Sequence, residues 1–411
     1  MDVVIAIYLV VIFVILYFTS FNFLLFLKFR KRAKKEKGRE INLPSISLIV
    51  PAYNEEKTVA KTIKNLLRLN YPKDKLEIIV VDDGSKDETY KIAKRFERNG
   101  VRVFRKENSG KAATLNFGIK RAKGEIVGVV DCDTILEKNA LMKCVKYFDE
   151  EGVACVTSRI LQRRKKKILE KWQDLELKLI AYLRKLSQYL NLITATPGPL
   201  SLYRKKVLTR LGGFDEKCCL EDNEIAWRLI FHGFKVKMAY DAKAFTNMPC
   251  EIGKWWRQRV RWGIGGLQII GKYFSSLFRN HPLGTYILPS SILGYAFSIL
   301  GLGLFFYLFY FSLLVNLLYF IKVLSYGGNP LVFSIQFNFD VLFFYGAFLF
   351  FLSFFFAAYV LYTYKERPNP FLFLTFIFVY LVHYPFVSLY SMYKFLLLRK
   401  QLKIKPVWLT K

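Results

Sequence analysis

The chain has 411 residues, 53% of them hydrophobic and 17% aromatic, with 39 Phe and 25 Tyr. That is too apolar for an ordinary soluble enzyme and places much of it in lipid. A formal net charge of +31 raises the question of nucleic acid, but the positive residues gather at Lys28–Arg39, at Arg163–Lys167 and from Lys254 onward. Beside apolar runs, such clusters are explained by membrane topology and anionic headgroups, so no nucleic-acid partner is expected.

Val3 to Leu27 is an apolar run long enough to cross a bilayer, and the basic residues Lys28, Arg30, Lys31, Arg32, Lys34, Lys35, Lys37 and Arg39 follow at once. Asp2 precedes the run and no small-residue cleavage site follows it, so it reads as a retained anchor. The positive-inside bias puts the amino terminus outside and the next segment in the cytoplasm. From about Asn42 to Cys250, short apolar runs alternate with amphipathic segments. Strands are predicted at Ser45–Val50, Leu76–Val81, Val101–Phe104, Glu125–Val130 and Val153–Thr157, with helices opening at Glu55, Lys86, Gly110 and Lys138. This alternation predicts an α/β fold with a mostly parallel sheet, covered on both faces, that binds ligands beyond the carboxyl ends of its strands. The six cysteines all lie in this half without zinc spacing, and they read as free thiols in a reducing compartment.

Lys254–Arg261 is basic and aromatic, fitting a helix in the headgroup region. Three apolar blocks follow, Tyr286–Ile321, Val341–Tyr364 and Phe371–Leu398, with Lys365–Pro370 as a cytoplasmic turn. The boundaries so drawn are an anchor and basic segment at 1–40, an α/β domain at 41–250, interfacial helices at 251–284 and carboxyl-terminal transmembrane helices with a basic tail at 285–411. One anchor plus three spans puts the tail outside, whereas Arg399, Lys400, Lys403 and Lys405 favour the cytoplasm. Either the first block crosses twice or the last breaks near His383-Tyr384-Pro385 and re-enters.

Chemistry-bearing residues stand at the strand ends. Val50-Pro51-Ala52-Tyr53-Asn54-Glu55 and Val81-Asp82-Asp83-Gly84-Ser85 offer groups for a ribose or base, and serve equally as turns and caps. Val130-Asp131-Cys132-Asp133 reads as extended, with Asp131 and Asp133 pointing the same way, as a divalent cation shared with substrate phosphates requires; a solvated turn is the other reading. Lys111, in Gly110-Lys111-Ala112-Ala113-Thr114-Leu115-Asn116, opens a predicted helix where an anion binds well, or is a surface lysine. Thr196-Pro197-Gly198-Pro199-Leu200-Ser201-Leu202-Tyr203-Arg204 reads as a rigid loop forming a wall. Glu221 and Asp222 favour a helix start, or Asp222 takes a proton from an acceptor hydroxyl. In Gln258-Arg259-Val260-Arg261-Trp262, a helix puts Gln258, Arg261 and Trp262 on one face. That trio suits a phosphorylated sugar, and its tryptophans suit membrane anchorage as well.

In this order the seven motifs resemble membrane-integrated, processive family 2 glycosyltransferases, which include cellulose, hyaluronan, chitin-oligosaccharide and poly-N-acetylglucosamine synthases. The resemblance covers about Ser45 to Ile270. It implies a GT-A (Rossmann-like) domain in the cytoplasm beside an α-helical transmembrane region of the cell membrane, and a UDP-sugar donor. It further implies that Tyr53, Glu55 and Asp83 contact uridine and that Lys111 and Asp131 meet the diphosphate region. Asp133 would hold Mg2+ or Mn2+, and Asp222, beside Glu221, would be the catalytic base. Gln258 and Arg261 would close over the diphosphate, and Trp262 would stack under the acceptor sugar. Transfer inverts the anomeric carbon, giving a β-linked polysaccharide or oligosaccharide that members thread through their own spans.

The Gly198–Arg204 loop looks like the hyaluronan and chitin types, while Trp262-Gly263-Ile264-Gly265-Gly266 looks closer to the poly-N-acetylglucosamine and cellulose types. Together they point to a β-linked polymer of a hexose or N-acetylhexosamine without choosing one; N-acetylglucosamine is preferred, and alternation with a second sugar stays open. A single amino-terminal span and the lack of a regulatory module suggest a minimal synthase, one with an accessory protein, or one making short products. Its competitors are a single-addition transferase using a lipid-linked sugar, a nonenzymatic nucleotide-sugar-binding scaffold, and a transporter. Few polar residues within the spans argue against the last.

Overall fold

The computed structural model describes residues 2–35, 42–327, 341–363 and 369–399. At its centre is an eight-stranded sheet: β1 (Ile46–Ala52), β2 (Leu76–Asp82), β3 (Arg102–Arg105), β4 (Ile126–Val129), β5 (Ile135–Leu136), β6 (Val153–Gln162), β7 (Ser201–Arg204) and β8 (Lys235–Thr246). The spatial order is β3-β2-β1-β4-β7-β6-β8-β5. The β3-β2-β1-β4 half is parallel, as the alternation predicts. Beyond it the sheet is mixed, because β7 runs antiparallel to both β4 and β6, and β5 runs antiparallel to β8. Four residues read as part of a rigid loop, Ser201–Arg204, are thus a central strand. Pro197 and Gly198 break the chain only as far as Leu200, after which Leu202 and Tyr203 are buried in the ladder.

The helices of this half are α2 (Val59–Leu67), α3 (Thr89–Lys94), α4 (Lys111–Arg121), α5 (Ala140–Val145), α6 (Ile168–Ser187), α7 (Lys205–Arg210), α8 (Glu221–Phe231) and α9 (Ile252–Tyr273), and α1 (Asp2–Lys35) precedes them. Every residue of β1 is buried, as a strand covered on both faces must be. Leu48 and Val50 pack with Ile63 and Leu66 of α2, and Ile49 packs with Leu115 and Ile119 of α4. The second of these faces continues through Ile225 and Leu229 of α8 and Ile269 of α9 to Leu283 and Leu288, at the start of α10 (Leu288–Ser325).

Beyond α10 come α11 (Val341–Thr363), α12 (Pro370–Thr375) and α13 (Tyr384–Arg399). Among the described residues, Ile5–Arg32, Leu283–Leu304 and Pro370–Leu397 are long and apolar enough to cross a bilayer. The first carboxyl-terminal block does not turn back. At about 1.5 Å per residue, the 38 residues of α10 make one rod of about 57 Å. Nor does the chain reverse near His383: α12 passes through a π-helical stretch, Phe376–Tyr380, and a 3-10 turn, Leu381–His383, directly into α13. Most of the turn read at Lys365–Pro370, the segment Lys37–Arg39 and the tail lysines from Lys400 onward lie outside the described residues.

Two elements join sheet to spans. One face of α6 packs on β6, while its Tyr182 and Leu186 meet Phe26 of α1 and Val360 of α11. Three glycines bring α9 close to its neighbours. A Cβ on Gly263 would lie 2.6 Å from Ser391 Cβ, one on Gly265 2.5 Å from Leu220 Cβ, and one on Gly266 2.7 Å from the Tyr295 hydroxyl. The Gly263-Ile264-Gly265-Gly266 run therefore fits α9 between α13, α8 and α10.

Candidate active site

The loops after β1 and β2 are laced together. Ser85 Oγ accepts from Asn54 N at 2.9 Å, Thr89 Oγ1 accepts from Glu55 N at 2.7 Å, and Asn54 Oδ1 accepts from Lys86 N at 2.9 Å. Asp83 is fully buried and spends its carboxylate on the loop before α4, accepting from Ser109 N at 3.1 Å, Gly110 N at 2.9 Å and Lys106 Nζ at 2.6 Å. It thereby fixes where α4 starts and where Lys111 stands.

A cavity of roughly 790 Å3 opens beyond the strand ends. Glu55, Lys111, Asp131, Asp133, Glu221, Asp222, Gln258, Arg261 and Trp262 all line it, so motifs spread over more than 200 residues converge there. Tyr53 and Asp83 stand outside its wall.

Lys111 Nζ lies 2.8 Å from Asp131 Oδ1 and 3.2 Å from Glu221 Oε1. It is no surface lysine: burial opposes its charge, and Asp131, Glu221 and Asp222 more than offset that, holding its pKa well above the usual value. Asp131 and Asp133 are not in extended chain as the sequence reading has them. β4 ends at Val129, and Thr134 N donates to Asp131 O at 3.0 Å to close a turn. Asp131 N donates in turn to Gly198 O at 3.1 Å, and a Cβ on Gly198 would lie 2.5 Å from both Asp131 carboxylate oxygens. Gly198→Ala is therefore expected to push Asp131 off Lys111 and to lower kcat by about 100-fold, an effect of local displacement in an intact fold. Steady-state kinetics beside an unchanged far-ultraviolet circular dichroism spectrum is the check.

Asp133 is half-buried, and its carboxyl is pushed up to about 6 by burial and by Asp131 and Glu55. Thr246 Oγ1 approaches both of its oxygens, at 3.4 Å each. A crowded carboxylate held by its own backbone N–H and a long hydroxyl contact fits a divalent cation. Among the described residues no three His, Cys, Asp or Glu side chains converge on one point, so a cation held here would need its remaining oxygens from substrate phosphates and water.

Glu221 and Asp222 begin α8. Thr196 N and Oγ1 donate to the Asp222 carbonyl at 3.1 and 2.7 Å, tying the helix start to the Pro197-Gly198-Pro199 wall. Burial raises both carboxyls, but Lys111 and Arg261 draw Glu221 below the usual range. Asp222, with Glu221 beside it, is pushed up to about 6. Two adjacent acids driven apart in this way are able to act as a standing anion and a proton acceptor.

Gln258, Arg261 and Trp262 occupy one face of α9, as predicted. Arg261 Nε is buried without a hydrogen-bond partner, an orphaned donor on a cavity wall that fits an anionic ligand. The residue between them, Arg259, was not singled out by the sequence. It is only 2% exposed, pairs with Glu176 of α6 at 2.5 Å, receives company from the Tyr380 hydroxyl at 3.0 Å and lies 4.1 Å over the Trp262 ring. Arg184 of α6 also lines the cavity and escaped notice. Both sit in stretches that look like ordinary charged helix surface, and a signal existed only in the apolar positions Leu177, Ile180 and Ala181 that share Arg184's face.

Residues 47–212 match the model of glycosyl transferase family 2. Poly-beta-1,6-N-acetyl-D-glucosamine synthase of Staphylococcus aureus (strain COL) is 31% identical over 250 residues, 60% of this chain and 60% of that one. The synthase of the same name from Staphylococcus epidermidis is 34% identical over 256 residues, 61% and 62% of the two chains. The alignments thus span about three-fifths of the length of these relatives. Among solved structures, the mannosyltransferase PcManGT from Pyrobaculum calidifontis, in complex with GDP-Man and Mn2+, matches with a TM-score of 0.58 at 20% identity, over 94% of this chain and 98% of that chain. The shared fold therefore extends from the sheet into the apolar helices. Residues 47–212 thus match glycosyl transferase family 2 on a GT-A-like sheet, in a chain whose apolar helices are long enough to cross a membrane and which is similar in sequence to poly-N-acetylglucosamine synthases.

Proposed function

We propose that the protein transfers N-acetylglucosamine, or a closely similar hexose, from a UDP-sugar to the end of a growing β-linked polysaccharide at a membrane surface. The observation that carries this reading is the meeting, in one cavity, of Lys111, Arg261 and the Asp131/Asp133 pair with the Glu221/Asp222 pair. The homology to poly-N-acetylglucosamine synthases supports the choice of donor and product.

In this reading the acceptor hydroxyl oxygen attacks the anomeric carbon from the face opposite the leaving group. Asp222 takes the hydroxyl proton, the bond from the anomeric carbon to the phosphate oxygen breaks, and its electron pair leaves on UDP. Lys111 and Arg261 face the charge that builds on the departing diphosphate, where fixed cations in a low-dielectric site act most strongly. Asp133, with Asp131 beside it, would hold Mg2+ or Mn2+, which offsets diphosphate charge when bound. Glu55 and Tyr53 border the nucleoside, while Asp83 acts through the loop it braces. Gln258 closes on the donor and Trp262 offers a ring face to the acceptor sugar. The basic residues that end α1, Lys28 to Lys35, support a cytoplasmic side for this domain, with the polymer leaving through the spans.

The test is to incubate the purified full-length chain with UDP-N-acetylglucosamine, UDP-glucose, UDP-glucuronate or GDP-mannose and either metal, following nucleotide release and product length together. Release from UDP-N-acetylglucosamine with a ladder of products is expected. Turnover of GDP-mannose alone, a single added sugar, or no release from any donor sinks the reading.

A further inference from the structure

The donor, metal and base groups leave one part of the cavity wall without a task. Leu177, Ile180, Ala181 and Arg184 of α6 recur at i, i+3, i+4 and i+7, and all four line the cavity. Ile269 and Ile270 of α9 join them, as does Tyr295 of α10, which lies within the candidate span Leu283–Leu304. Branched aliphatic side chains suit hydrocarbon, whereas sugar faces stack better on rings such as Trp262. An aliphatic strip that reaches a membrane span is more than a sugar acceptor needs.

Arg184 stands on that strip. Among the described residues no carboxylate forms an ion pair with it; burial lowers its pKa to about 10, and Asp222 is the charge that works against this. A half-buried guanidinium without a paired anion calls for one from a ligand. Lys111 and Arg261 already face the leaving diphosphate in the proposed reaction, and Arg184, like them, lies within reach of the charge of Asp222, where the acceptor hydroxyl must be.

We infer that this cavity takes an acceptor saccharide linked through phosphate to a lipid: hydrocarbon along Leu177, Ile180 and Ile270, phosphate on Arg184, sugar hydroxyl at Asp222. The inference rests on the glycosyltransferase reading and names its acceptor. The transfer step is unchanged. The sugar hydroxyl loses its proton to Asp222 as its oxygen bonds the anomeric carbon, UDP departs with the electron pair, and the lipid phosphate stays intact on Arg184.

Binding of farnesyl phosphate, farnesol, inorganic phosphate and a glucuronate-containing disaccharide to the full-length protein in neutral detergent tests it, with UDP binding measured alongside. Farnesyl phosphate is expected to bind about tenfold or more tightly than farnesol or inorganic phosphate, a typical margin for a charge-assisted pair. Arg184→Met should erase that margin, Arg184→Lys should keep part of it, and UDP should bind both variants. Equal binding of farnesol and farnesyl phosphate, or a margin that survives in Arg184→Met, overturns the inference. So does an Arg184-dependent preference for the acidic disaccharide, which assigns the cation to an anionic polymer, or a tenfold loss of UDP affinity in Arg184→Met, which assigns it to the donor. If the wild-type protein does not bind UDP, the transferase reading falls and takes this one with it. Normal UDP binding with indifference to the lipid phosphate removes the lipid assignment alone.

Discussion

Asp222→Asn is expected to lower kcat for sugar transfer by about 100- to 10,000-fold, the range a positioned general base supplies, while the donor KM stays the same or falls. Asparagine keeps the shape of the side chain but cannot take a proton. The change also removes a negative charge beside Lys111 and Arg261, so the diphosphate meets more uncompensated positive charge than before. The pH profile carries the same assignment. Asp222 is pushed up to about 6 by burial, Glu221 and Asp131, against the pull of Lys111 and Arg261 and with Arg184 nearby. A base works when deprotonated, so kcat/KM for wild type should climb with pH through about 6 and level off above it. Glu221→Gln removes a like charge and frees Lys111 to act on Asp222, and both effects shift this acid limb to lower pH. A KM effect with kcat intact in Asp222→Asn would show that the proton goes elsewhere, whereas a limb that persists there belongs to Asp133, whose carboxyl is pushed into the same range.

What the sequence made legible, and what it hid, divides along a physical line. Residues that end a strand and begin a helix carry local marks: a hydrophobic run that stops, a glycine or proline, then a charge. Lys111, Asp131, Glu221 and Asp222 all stand at such points, and all line the cavity. The spacing that puts Gln258, Arg261 and Trp262 on one face is equally local. Roles set by tertiary contact were not readable. Asp83 looks like a ligand group, yet its oxygens are committed to Ser109, Gly110 and Lys106, because a buried carboxylate must be satisfied and the loop before α4 brings unpaired N–H groups to it. Ser201–Arg204 was hidden by the prolines just before it. The whole of α6 was overlooked for a related reason: Glu170, Gln173, Asp174, Glu176 and Lys185 look solvent-facing and are all buried. A helix that packs on β6 with one face and on membrane helices with another leaves little polar side exposed to betray it, and while Glu170 and Asp174 find partners nearby in the chain, Glu176 and Lys185 find theirs far away.

The most distant of those matches sets the second large effect. Arg259→Met is expected to destabilise the protein by about 3–5 kcal/mol, because it leaves Glu176 as a buried carboxylate without its cation. Glu176 Oε2 then keeps only the Tyr380 hydroxyl at 2.7 Å, with Tyr384 still donating to Oε1. Replacing both partners, Arg259→Met with Glu176→Leu, should recover most of the loss, since two apolar groups of similar size need no counter-charge. Thermal unfolding of the purified variants reads this directly, and a single variant as stable as wild type would show that the pair contributes little. Activity should not recover with stability. The guanidinium also donates to Gln258 Oε1 at 3.3 Å and covers one face of Trp262, and a methionine does neither. The double variant is therefore expected to melt near wild type yet transfer sugar about tenfold more slowly or worse, with the two cavity residues of α9 free to leave their positions. That split would locate the function of the buried pair in holding α9 against α6 and the last membrane helix, so that donor, acceptor and membrane span share one rigid contact.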